Sequence, residues 1–181
     1  MKKESKELLY MAARHVYGIA EGTELSQAAS RAFDQGLSSP SLAELTTAKN
    51  PFEQKSLFES SIQELGLTMP KRENCISLML RYHIESIADG SVSPKKGLGN
   101  MMREVFYPAD IHNQTTKGRY VGNSHGIEHL VGLYWGYDEL QEQEKNIFKK
   151  VIKVIKGDHD ALDKETILQS NVWLEQHPIK F

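Results

Sequence analysis

The chain has 181 residues, 25% of them charged and 39% hydrophobic, and at about 150 residues per domain this length predicts one domain over 1–181. Its 22 Lys and Arg against 24 Asp and Glu leave a net charge of −2, without the cationic excess that sequence-independent contact with phosphates requires, so no nucleic-acid partner is expected. Cys75 is the single cysteine, which excludes an internal disulfide; the amino-terminal stretch MKKESKELLYMAARHVYGIAEG mixes Glu into its apolar part, so no signal peptide or membrane span is expected, and the cytoplasm is the expected compartment.

Prolines and glycines punctuate the chain, because Pro suits the first helical position and Gly the residue after the last. Leu8, Leu9, Ala12, Val16 and Ile19 form a first apolar stripe at helical spacing, and Leu25, Ala28, Ala29, Ala32 and Phe33 a second. Ser39-Pro40, Asn50-Pro51 and Ser93-Pro94 each read as an N-cap followed by a proline, and Gly22, Gly36, Gly66, Gly90 and Gly157 as helix stops. Phe58, Ser61, Ile62 and Leu65 come next, then Ile76, Met79, Leu80, His83, Ile84 and Ile87. His83 on that face fits a core histidine better than a metal ligand. After Pro94 come Leu98, Met101, Met102, Val105 and Phe106, and after an interruption Ile127, Leu130, Val131 and Tyr134. Phe148, Val151, Ile152 and Ile155, then Ile167, Leu168, Val172 and Trp173, complete the pattern. Asp158-His159-Asp160 reads as a turn between helices, with Asp160 or Asp163 as a cap. No segment alternates as a half-buried strand does, so the expected fold is all-α, an irregular bundle of eight or nine helices.

Residues 107–123 break the periodicity with Pro108, Asp110, Asn113, Gly118 and Gly122, and at this length they exceed the usual helix connection. A segment of this kind is either a functional loop or a plain surface excursion.

GLSSPSLAEL at 36–45, LFESSIQELGLTMP at 57–70 and IADGSVSPKKGL at 87–98 together resemble a loosely defined group of small bacterial all-helical proteins. In that group a Gly-Leu-x-Ser-x-x-Leu segment, a Glu-Leu-Gly-Leu helix end and a Gly-x-x-x-Pro junction recur in this order. The likeness covers residues 10 to 140 and rests on capping and turn motifs. It implies a helical fold and, by association, an immunity or antitoxin-like role with a toxin as protein partner; it implies no catalytic activity.

Two catalytic patterns overlap at 121–129. Gly122, Ser124 and Gly126 match GxSxG, whose serine nucleophile needs a buried strand behind it. His125, Glu128 and His129 match HxxEH, in which two histidines on one helical face hold zinc beside a glutamate base, with Glu142, Glu144, Glu165 or Glu175 as third ligand. A helix start explains the same residues with fewer parts: Asn123 or Ser124 as cap, and Glu128 favoured at the positive helix end. Neither a metal nor another cofactor is therefore assigned. The expected function is non-enzymatic protein binding, with a hydrolase at 122–129 as the alternative. Aromatic residues with polar tips beside acids have the composition of an interface, which selects Asp110, Tyr120, Glu128, Trp135, Tyr137 and Asp138 as binding residues.

Overall fold

A computed structural model describes residues 3–114, 119–146 and 152–178, and the side chains discussed lie within 5–114, 119–140 and 159–178. The described residues form eight α-helices and no strand, so the fold is all-α. They are α1 (Lys3–Tyr17), α2 (Gly22–Asp34), α3 (Pro40–Leu45), α4 (Pro51–Glu64), α5 (Cys75–Ala88), α6 (Pro94–Met101), α7 (Glu128–Asn146) and α8 (Ile152–Gln176). None of them is long and apolar enough to cross a membrane. The helices gather into two compact units, Met1–Tyr82 and His83–Phe181, and α5 contributes residues to both.

In the amino-terminal unit the predicted stripes supply the core: Leu8, Ala12, Leu25, Ala28, Ala29, Phe58 and Ile62 are each fully buried. Phe33 departs from its stripe and is exposed. Ser39 accepts from the Leu42 amide and Asn50 from the Phe52 amide, so both predicted caps with a following proline start helices. Arg14 pairs with Glu24 at 2.9 Å, and Arg72 donates to the carbonyls of Val16 and Tyr17 at 3.0 and 3.2 Å, closing the end of α1. Gly22 is no stop. It opens α2, where a β-carbon would collide with the Gln54 side chain, so the position demands a small residue; the stop is Gly18.

In the carboxyl-terminal unit Leu98, Met101, Met102, Val105 and Phe106 are all buried, as their spacing predicts, although the α-helix gives way to a π-helical turn over Met102–Phe106. Ser93 precedes Pro94 without making a side-chain cap. The β-carbon that Gly97 lacks would collide with Ile87, which fixes the close packing of α6 on the end of α5. His83 is buried, with Nε2 3.6 Å from Glu104 Oε2, in keeping with a core histidine. Cys75, at the start of α5 and so in the amino-terminal unit, is buried too, and burial pushes its thiol pKa up.

Two readings of the carboxyl-terminal part are corrected. Gly157 ends no helix, and the Asp158–Asp160 turn does not exist, because α8 runs through both; Leu168 on the same helix is exposed. Phe148 and Val151 lie outside the described residues, as do the side chains of Glu142, Glu144, Ile152 and Ile155.

Candidate functional site

The described residues between Phe106 and Glu128, 107–114 and 119–127, form short turns. Asp110 takes the left-handed conformation at φ 57°, with its carboxylate accepting from Asn113 Nδ2 at 2.7 Å and lying 3.5 Å from His112 Nε2. A 3-10 turn spans Ile111–Asn113, and a second spans Asn123–His125. Gln114 links the two parts: its Nε2 donates to the Ala109 carbonyl at 2.9 Å, and its Oε1 is 3.0 Å from His125 Nε2. Trp173 of α8 donates from Nε1 to the His125 carbonyl at 3.0 Å and stacks on His177 at 4.5 Å. Burial, and next the charge of His177, hold the His125 imidazole below its ordinary pKa. Nothing in the sequence pattern singles out Gln114, whose role depends on two turns brought together by the fold.

This geometry takes away the local structure on which both catalytic patterns at 122–129 depend. Gly122 and Gly126 both have left-handed φ, 90° and 66°, so the chain reverses direction twice around Ser124. Ser124 sits exposed in the 3-10 turn, and no described strand leads into it. His125 lies before the second reversal and His129 after it, on the first turn of α7; the two are not neighbours on one helical face. Among the described residues no three His, Cys, Asp or Glu side chains gather to hold a metal ion. The expected cap at Asn123 or Ser124 is also absent, because the Ile127 carbonyl accepts the first helical bond, from the Val131 amide at 2.9 Å.

The predicted binding residues divide into exposed and buried. Tyr120 and Trp135 are 83% and 45% exposed, and Asp110 and Asp138 are exposed as well. Glu128 is half-buried, and its Oε2 is enclosed with no hydrogen-bond partner among the described residues. Tyr137 is buried. It is 1% exposed, its hydroxyl donating to Asp163 Oδ1 at 2.5 Å with Thr166 Oγ1 3.4 Å away, because it continues the Leu130 and Tyr134 stripe toward α8. Burial first, then the hydrogen bond to Asp163, raise its pKa above the ordinary phenol value.

Between α6 and α7 lies a cleft of about 430 Å³. Ser93, Lys96, Asn100 and Arg103 recur along one face of the α6 segment and form one wall, joined by Lys95. Tyr134, Tyr137 and Asp138, at i, i+3 and i+4 of α7, form the other. Arg103 Nη2 donates to Asn100 Oδ1 and to Glu104 Oε1, both at 2.9 Å, which holds the guanidinium against its own helix. Burial, then Asp138, then Tyr107 raise the Tyr134 pKa above its ordinary value. Tyr107 is itself 51% exposed. Of the predicted residues, the cleft thus brings together Tyr137 and Asp138 and leaves out Asp110, Tyr120, Glu128 and Trp135. Apolar periodicity gives no sign of its cationic wall, although residues 90–103 hold Lys95, Lys96 and Arg103 with no acid among them. In comparisons with family models, curated proteins and solved structures, nothing matches this chain.

Proposed function

We propose that the protein is a non-enzymatic helical binding protein whose carboxyl-terminal unit engages a protein partner, of the toxin class that the immunity-type resemblance implies. The observation that carries this reading is the exposure of Tyr107, Tyr120 and Trp135, 51%, 83% and 45%, within a single stretch of one unit. Large rigid aromatics left in water cost hydrophobic free energy, whereas at an interface they act as anchors with little entropy to lose. Asp110 and Asp138 are exposed in the same stretch and supply charges that orient a partner.

The test is capture of the partner by crosslinking to the wild-type chain, followed by affinity measurement with Tyr120→Ala, Trp135→Ala and Asp138→Ala. Truncation of an anchor costs about 1–2 kcal/mol or more, so at least one variant binds about tenfold more weakly. Unchanged affinity across all three removes the reading. Co-production of the chain restores growth to cells that carry the partner; a partner harmless by itself removes the toxin assignment.

A further inference from the structure

We infer that His125 and His177 form an acid-opened clasp, which ties the turn at 122–126 to the end of α8 at neutral pH and releases it when both imidazoles carry a second proton. The inference goes beyond the protein-binding reading and does not depend on it. Three contacts close the clasp. Trp173 donates its indole N–H to the His125 carbonyl, and the His177 ring stacks on Trp173 at an interplanar angle of 15°. The same ring covers Gly126, where its Cε1 and Nε2 lie 2.8 and 3.0 Å from the β-carbon that glycine lacks. The hydrogen bonds fix where each acid proton goes. A carbonyl only accepts, so the Ala109 carbonyl takes the Gln114 amide nitrogen and leaves Gln114 Oε1, an acceptor, toward His125 Nε2. His125 Nε2 therefore carries the hydrogen, and Nδ1 is its basic atom. By the same reasoning His177 Nδ1 donates to the Trp173 carbonyl at 2.9 Å, and Nε2, against Gly126, is the basic atom.

Acid thus adds like charges to two half-buried rings packed about one glycine, and the charge of His177 opposes that of His125. The other titratable groups on the elements packed here are Asp110 and His112 before Gln114, Glu128 and His129 on the first turn of α7, and Glu175 on the last turn of α8. Asp110 lies 3.5 Å from His112 and accepts from Asn113. Among the described residues no carboxylate forms an ion pair with His125 to offset its charge. Because burial and then His177 hold the His125 pKa down in the closed clasp, the released turn takes the proton first, and acid favours release below about pH 6.5. Tyr120 belongs to the same run of turns, its carbonyl accepting from the Asn123 amide at 3.2 Å, so release reaches an exposed aromatic.

The experiment follows Trp173 in a full-length Trp135→Phe chain, where it is the one tryptophan, by acrylamide quenching and by its indole N–H resonance between about pH 8 and pH 5. Trp173 is 3% exposed in the closed clasp, so quenching is expected to rise about threefold or more in acid while the helical circular dichroism stays unchanged. The indole resonance is expected to move together with the imidazole resonances of His125 and His177. His125→Gln and His177→Gln are each expected to abolish the acid response, and His129→Gln, at an exposed position of α7, to leave it intact. In His177→Gln the His125 midpoint is expected to rise, because the like charge is gone. Quenching and an indole resonance that both stay flat through the two imidazole titrations overturn the clasp, and this outcome is read without any histidine variant. A response that survives both His125→Gln and His177→Gln, or that disappears with His129→Gln, overturns the assignment to this pair. Loss of helical circular dichroism at the same midpoint as the quenching change overturns local release in favour of unfolding of the whole chain.

Discussion

The Tyr137 hydroxyl, enclosed between α7 and α8, donates to the Asp163 carboxylate at 2.5 Å. Removing it in Tyr137→Phe leaves that acceptor without its donor, and the expected loss is about 2 kcal/mol in denaturant unfolding. The same group sets a response to alkali. Its folded pKa lies above the unfolded value near 10, mainly through burial. The folded protein therefore keeps a proton that the unfolded chain releases, and this contribution is complete below about pH 10 and lost as the pH rises further. A melting series above pH 9 should fall more steeply for wild type than for Tyr137→Phe. The position was legible in the sequence, since Tyr137 comes seven residues after Leu130 and three after Tyr134; its polar tip drew the reading toward the surface. Lys95, Lys96 and Arg103 were legible only as a run without acids, because their opposite wall lies some thirty residues later and meets them through packing alone.

Helix patterning was readable where one apolar face meets one core. The stripes of α5 and α6 are buried nearly residue for residue, because a 3.6-residue period forces those side chains to one side, whereas α1 is buried all round from Leu8 to Ala13 and its Val16 is only half-buried. Glycine was less readable, since the same residue serves as stop, as close contact and as tolerated helix interior. Gly126 and Gly132 separate these roles experimentally. At Gly126 the left-handed φ of 66° and a His177 ring atom 2.8 Å from the missing β-carbon both oppose a side chain, and Gly126→Ala is expected to cost about 2 kcal/mol or more. Gly132 lies exposed within α7 with nothing near its missing β-carbon, so Gly132→Ala should add about 0.5–1 kcal/mol. Chemical denaturation of the two variants gives opposite signs if Gly126 turns the chain and Gly132 lies inside the helix; the same sign would misplace the start of α7.

Over the whole chain, two tryptophans report on different surroundings. Trp135 is 45% exposed and Trp173 only 3%. Acrylamide quenching of the free protein should therefore be biphasic, and Trp135→Phe should abolish the accessible component. Binding of the partner should protect that component in wild type, whereas continued quenching in the complex would place the interface away from Trp135. The net charge of −2 argued against a polyanion partner and hid a local cationic wall, since a sum over 181 residues averages away a patch on one helix.

Asp110 holds a left-handed backbone that costs a side-chain-bearing residue free energy, and its carboxylate is exposed. Replacement by glycine should relieve that strain and raise stability by about 0.5 kcal/mol, even after loss of the Asn113 hydrogen bond. If the aspartate orients the partner, the same change slows association. Selection for thermal robustness alone would then drift toward a sturdier molecule that recognises less, and Asp110 is where the two pressures can be read apart.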